Sequence, residues 1–371
     1  MSDAAARTSA KTPTYSGVRR VGLDALADYP DRIDVRSPAE FAEDHLPSAT
    51  NHPVLDDAER ARVGTLYASS PFAARKMGAA IVARNIATML ETAFAAQPRE
   101  WQPLVYCWRG GQRSRALALV LHEVGWRAVQ LDGGYRAYRR HVVAELTRVP
   151  QRFRYVVICG LTGSGKSRLL AALAAVGAQT LDLEGIARHR GSLLGDLPGE
   201  SQPSQKRFES LLWDALSRLD PSRPVFVESE SRRIGSVQMP DALLGAMRFG
   251  QALTLRTPRA QRVALLKDEY AHFLADPELL AACLKPLTAL HGKAKILRWE
   301  AMAAAGEWDP LIAELLDAHY DPTYARSLER NFPGMQAPRT VEAPEITPAA
   351  LLELARYVRG LFEIGEPVES R

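Results

Sequence analysis

The stretch Gly160-Leu161-Thr162-Gly163-Ser164-Gly165-Lys166-Ser167 constrains this chain more than any other feature. It has the spacing G-x-x-x-x-G-K-S, and it stands between an apolar strand, Tyr155 to Cys159, and an apolar helix. Strand, glycine-rich turn and helix in that order predict a P-loop. Gly160, Gly163 and Gly165 let the backbone curl, so that loop N–H groups, those of Thr162 and Ser164 among them, face phosphate oxygens. The helix N-terminus adds partial positive charge. Lys166 supplies a point charge to the terminal phosphates, and the Ser167 hydroxyl is the candidate ligand for Mg²⁺. Such a loop binds phosphate without saying whose. Glu228, ending the run Val225-Phe226-Val227, is the first candidate for an acidic partner; Glu230, Asp182 and Glu184 are the others. Any of them could hold a metal or orient a nucleophile. Each could equally be a strand-end carboxylate in solvent, or a partner of Arg232 and Arg233.

A chain of 371 residues has room for two or three domains. With 46% apolar and 24% charged residues it has the composition of a globular protein. Residues 1–16 read as a flexible N-terminus. Strands are expected at Arg32–Arg36, Pro103–Cys107 and Arg127–Leu131, with helices from Pro38, over Ala73–Ala96 and over Ser114–Val124. That alternation predicts an α/β domain with a parallel sheet, residues 17–148. The pattern breaks at Pro150. A second α/β series, the P-loop domain, is expected over 149–275, with strands near Gln179–Leu183, Pro224–Glu228 and Ala252–Arg256. Residues 276–371 read as mostly helical, with a Pro-rich loop from Met335 to Pro348 and a closing helix to Phe362. Three cysteines make no disulfide framework and suit a reducing compartment. Nothing approaches the roughly 18 apolar residues of a membrane span, and Met1 to Gly17 lacks an apolar leader segment. A cytoplasmic protein with no membrane partner is expected. The net charge of +4 permits nucleic acid as a partner without arguing for it.

The second chemical motif is Cys107-Trp108-Arg109-Gly110-Gly111-Gln112-Arg113-Ser114. A cysteine ends a strand, a glycine-containing loop follows, and a helix begins near Arg113. Loop N–H groups and the helix N-terminus can stabilise an anionic sulfur, and Arg109 and Arg113 add positive charge. The arrangement suits nucleophilic cysteine chemistry on an anionic substrate. Cys159 and Cys283 have no such setting and read as ordinary packing residues.

Asp34-Val35-Arg36-Ser37-Pro38-Ala39-Glu40-Phe41, His45-Leu46-Pro47-Ser48-Ala49-Thr50-Asn51, the Cys107 loop and Leu131-Asp132-Gly133-Gly134-Tyr135-Arg136-Ala137-Tyr138 resemble, in order, the signatures of a rhodanese domain. A rhodanese-like domain followed by a P-loop domain resembles the bacterial tRNA 2-selenouridine synthase family. The likeness runs from about Asp24 to the helical region after Arg256. It implies a transferase that converts 2-thiouridine at the wobble position of tRNA to 2-selenouridine via S-geranyl-2-thiouridine. Geranyl diphosphate and selenophosphate would be co-substrates, with no tightly bound cofactor, and a selenophosphate-supplying enzyme is an expected partner. Cys107 matches the family's selenium-carrying cysteine. Phosphate chemistry then assigns geranyl diphosphate to Gly160–Ser167. Candidate tRNA backbone contacts are Arg139, Arg140, Arg152, Arg154, Arg188, His189, Arg190, Arg232, Arg233, Arg262 and Lys267; Trp108, Tyr135 and Tyr138 are candidates to stack a base. Two other readings fit the same motifs. One is a rhodanese-fold sulfurtransferase, or a cysteine phosphatase using Cys107 and Arg113 as C-x₅-R, with a nucleotide-dependent P-loop domain. The other is a nucleotide-driven switch with an inert rhodanese module.

Overall fold

The computed structural model describes residues 17–332 and 339–363, so the expected flexible N-terminus and Met335 lie outside the described residues. The chain forms two compact units that divide between His141 and Val142, inside the helix Gly134–Leu146. The sequence break at Pro150 falls in a single tight turn, Val149–Arg152, that leads into the next strand.

The first unit is built on a five-stranded parallel sheet of β1 (Arg20–Val21), β2 (Arg32–Asp34), β3 (Ala49–Asn51), β4 (Leu104–Tyr106) and β5 (Val129–Leu131). The spatial order is β1-β5-β4-β2-β3. All three residues of β4 are fully buried, as expected of a central strand covered on both faces, where an unbroken apolar run replaces alternation. Leu117, Ala118 and Leu121 of the helix Gln112–Val124 pack with Ile33, Val35 and Val105 on one side of the sheet. The long helix opens at Pro71, where proline's missing N–H costs nothing, and ends at Glu91.

The second unit carries β6 (Arg154–Cys159), β7 (Gln179–Leu181), β8 (Pro224–Glu228), a small hairpin of β9 (Arg233–Ile234) and β10 (Val237–Gln238), β11 (Gln251–Arg256) and β12 (Arg339–Glu342). Its main sheet is parallel in the order β12-β11-β6-β8-β7. β12 corrects the expected Pro-rich loop: Leu253 to Arg256 of β11 pair in register with Arg339 to Glu342. Only Val341 of its four residues is buried, so the local pattern is nearly blank and the strand is specified by its sheet edge. The helix Pro348–Glu363 then returns to pack on the helix Lys166–Ala175, burying Leu351, Ala355 and Val358 with Leu169 and Leu170. A separate apolar cluster centred on Trp299, Leu284 and Leu311 holds the helical region together.

Both sheets place their chemistry by the same topological rule. In an open parallel sheet the crevice lies beyond the carboxyl ends of the strands where the order reverses. β4 has β5 on one side and β2 on the other; β6 has β11 and β8. Cys107 follows β4, and Gly160 follows β6.

Candidate active site

In the first unit Cys107 is 3% exposed, and its sulfur is held by the loop that follows it. It accepts the Gly111 N–H at 3.3 Å and faces the Ser114 hydroxyl at 3.2 Å. Gln130 on β5 fixes that hydroxyl: its Nε2 donates to Ser114 Oγ at 2.7 Å and to the Gly110 and Gly111 carbonyls at 2.9 and 3.0 Å. Gly110, at φ +63°, turns the loop where an added Cβ would stand 2.6 Å from the Leu131 carbonyl. Gly134 closes it from the other side, since a Cβ there would meet the Cys107 carbonyl at 2.3 Å. The sequence named Cys107 but gave no reason to single out Ser114 or Gln130, which come together through sheet pairing.

The two loop arginines part company. Arg109 is exposed. Arg113 donates to Glu40 at 2.9 Å, an ion pair across 73 residues. Burial works against the Glu40 charge, yet the Arg113 guanidinium holds its carboxyl below the ordinary range. Much of Arg113's charge is therefore directed at Glu40, away from the phosphate-binding role that C-x₅-R chemistry would require of it. The signature Asp34-Val35-Arg36 is framework: Arg36, fully buried, bonds both carboxylate oxygens of Asp34 and the Asp44 carbonyl, and lies 3.9 Å over the Tyr135 ring. Tyr135 is spent on this framework, bonding Asp44 at 2.9 Å, and Tyr138 is fully buried. Neither can stack a base. Trp108, half-buried, remains available.

In the second unit the P-loop turns as its glycines predict, with Gly163 and Gly165 at φ +74° and +87°. Lys166 Nζ donates to the Gly160 carbonyl at 2.8 Å and lies 5.2 Å from the Tyr324 ring centre. Tyr324 itself accepts the Gly160 N–H at 2.8 Å and bonds Ser229 at 2.9 Å. Arg262 Nε and Thr257 Oγ1 hold the Thr162 and Ser164 carbonyls from outside. These brace residues lie about a hundred or more positions from the loop, beyond the reach of any local signal.

A cavity of about 560 Å³ opens over the loop, walled by Lys166, Ser167, Glu184, Arg190, Glu230 and Tyr324 among others. Ser167 donates to Glu184 at 2.7 Å. Glu184 sits in the first turn of the short helix Leu183–Ala187 and Asp182 caps it, so neither ends a strand as expected; β7 stops at Leu181. Glu228 is fully buried, accepts the Leu183 N–H at 3.4 Å with one oxygen and leaves the other unbonded. Burial, then the Glu184 and Asp182 charges, push its carboxyl well above the ordinary range. Glu230 is raised to about 8, by burial first and by Glu184 second, with Lys166 opposing. Arg190 lies 4.9 Å over the Tyr270 ring and keeps a buried guanidinium nitrogen, Nη1, without a hydrogen-bond partner. Arg190 is among the residues that line the cavity.

Several other candidate tRNA contacts are spent internally. His189 is 6% exposed. Arg262 is buried and bidentate to Asp321. Lys267 and Arg232, by contrast, pair with Asp309 and Asp241 at the surface, where their side chains stay 38% and 61% exposed. Arg140 and Arg152 stand exposed. Among the described residues no group of three His, Cys, Asp or Glu side chains is arranged to hold a metal, and no helix is long and apolar enough to cross a membrane.

A parallel-sheet domain with a buried, hydrogen-bonded cysteine at its switch point, joined to a P-loop domain, defines a two-domain α/β protein. Family models agree unit by unit: the rhodanese-like domain matches residues 23–141, and the tRNA 2-selenouridine synthase AAA domain matches 153–285. A tRNA 2-selenouridine synthase of Aeromonas salmonicida is 35% identical over 309 residues, covering 82% of this chain and 75% of that protein. One from Cupriavidus necator is 34% identical over 352 residues, covering 86% and 92%. One from Nitrosomonas europaea is 35% identical over 295 residues, covering 76% and 75%. The chain belongs to the tRNA 2-selenouridine synthase family.

Proposed function

We propose that this chain converts 2-thiouridine at the tRNA wobble position to 2-selenouridine in two steps. In the first, the thiocarbonyl sulfur attacks C1 of geranyl diphosphate held at Gly160–Ser167. The C1–O bond breaks, diphosphate departs and the base loses its N3 proton. In the second, the selenium of selenophosphate held at the Cys107 loop attacks C2; the C2–S bond breaks and geranylthiol departs, and water then takes the phosphoryl group as phosphate and returns a proton to N3, leaving 2-selenouridine. Alkylation makes the sulfur a competent leaving group and the ring carbon electrophilic.

The observation that supports this reading best is the supply of donors over the P-loop. Thr162 to Ser167, Lys166 among them, and Arg190 line one cavity and suit a diphosphate whose charge grows as the allylic bond breaks. On the other unit, Gly111 and Ser114 supply donors to the Cys107 sulfur as an anion. Ser167 and Glu184, bonded to each other at 2.7 Å, would hold a Mg²⁺ ion beside the phosphates. When bound, that ion adds positive charge beside the leaving group. The exposed Arg140 and Arg152 are suited to tRNA phosphates.

The deciding measurement is mass spectrometry of nucleosides from 2-thiouridine tRNA. Geranyl diphosphate alone should give S-geranyl-2-thiouridine, and adding selenophosphate should give 2-selenouridine. Absence of the geranylated nucleoside under both conditions overturns the scheme.

A further inference from the structure

Beside the phosphate cavity lies a second, almost wholly apolar one of about 50 Å³. The two share the walls of Thr162, Leu266, Tyr270 and Tyr320. Along one side of the apolar slot run Trp308 and Ile312 of the helix Trp308–Leu315 and Leu316 and Tyr320 of the π-helical turn that continues it. The two segments run on without a break, so this side of the slot leads from the shared Tyr320 to Trp308. Phe273 and Leu280 stand among the opposing walls. Apolar cavities of this kind stay dry, and unfilled they cost stability. A slot that begins at a P-loop residue and leads away along leucine and tryptophan side chains matches an amphiphile with a charged head and a hydrocarbon tail.

We propose that this slot receives the distal end of the hydrocarbon chain of the diphosphate bound at Gly160–Ser167, and that Trp308 limits the length of chain accepted. The proposal rests on the reading of the loop as a prenyl diphosphate site and assigns the part of the ligand that reading leaves unplaced. The slot is too small for a whole ten-carbon chain. The proximal carbons lie instead against Leu265 and Leu266, the apolar wall of the larger cavity, and only the chain's end enters between the helices. Trp308, at the end of this side away from the phosphates, is half-buried, so its ring can be removed or the slot filled without emptying the centre of the core.

The test is equilibrium binding of inorganic diphosphate, geranyl diphosphate and farnesyl diphosphate to the full chain by titration calorimetry. The wild type should bind geranyl diphosphate at least roughly tenfold more tightly than diphosphate, the return from burying several methylenes. Ile312→Trp fills the slot and should erase that advantage while retaining diphosphate affinity, which doubles as the check that the variant is folded. Trp308→Ala lengthens the slot and should narrow or reverse the preference for geranyl over farnesyl. A geranyl advantage unchanged in Ile312→Trp, together with an unchanged chain-length preference in Trp308→Ala, places the tail elsewhere and overturns the proposal while the loop reading stands. If Lys166→Ala leaves diphosphate binding unaltered, the loop reading itself falls and the slot assignment with it.

Discussion

At the scale of single residues the two sites are held by partners distant in sequence. Cys107 was legible because its strand end, glycines and arginines are contiguous, whereas Gln130, which fixes Ser114 against the sulfur, is legible only once β4 and β5 are neighbours. The division of labour gives a clear expectation for Cys107→Ser: selenation is lost and geranylation survives, since Cys107 serves only the second step. Nucleoside mass spectrometry reads both products, and equal loss of the two in a folded variant would contradict it. Glu230 gives a pH signature. Its carboxyl keeps its proton up to about 8 in the folded chain against 4.5 for an unperturbed group, so between those values the unfolded state binds fewer protons and stability falls as pH rises. Buried Glu228 acts in the same direction. Glu230→Gln should therefore flatten the decline in Tm from about pH 5 to about pH 8. Parallel curves for wild type and variant would show that this carboxyl titrates normally.

At the scale of elements, strands with continuous apolar runs were readable and the edge strand was not. β8 forms over the residues its composition predicts, Pro224–Glu228, because all five are buried and the pattern has one solution. β12 has one buried side chain, and its identity as a strand lies in the hydrogen bonds offered by β11. The closing helix was legible by its period and its start at Pro348, but its role was not: it braces the P-loop helix through Leu351 and Ala355. Leu351→Ala should cost the second unit about 3 kcal/mol, the usual loss for a leucine truncated in a close-packed site. Urea unfolding followed by tryptophan fluorescence measures this. A loss below about 1 kcal/mol would mean that the helix rests loosely on its neighbour.

At the scale of the whole molecule, the choice is between a P-loop that discharges a nucleotide and one that releases diphosphate from a prenyl chain. Sequence could not decide it, because the loop recognises phosphate in either ligand. The geometry adds an apolar slot on the loop's flank, Arg190 in the cavity wall and a cavity carboxyl, Glu230, whose acidity burial weakens. Weakly acidic carboxyls repel a polyanion less than ionised ones do, so the cavity's charge is more favourable to diphosphate than a count of its glutamates suggests. Geranylation by purified components should therefore proceed with no ATP or GTP present. Lys166→Ala should slow it by about a hundredfold, the loss of one donor aimed at charge that develops in the transition state, about 3 kcal/mol. Selenation of pre-geranylated tRNA should survive that substitution, because no diphosphate leaves in the second step. A nucleotide-driven enzyme behaves in the opposite way: both steps stop together in Lys166→Ala, and nucleotide is consumed in proportion to product. Geranylation that appears only when ATP or GTP is added would assign the loop to the nucleotide.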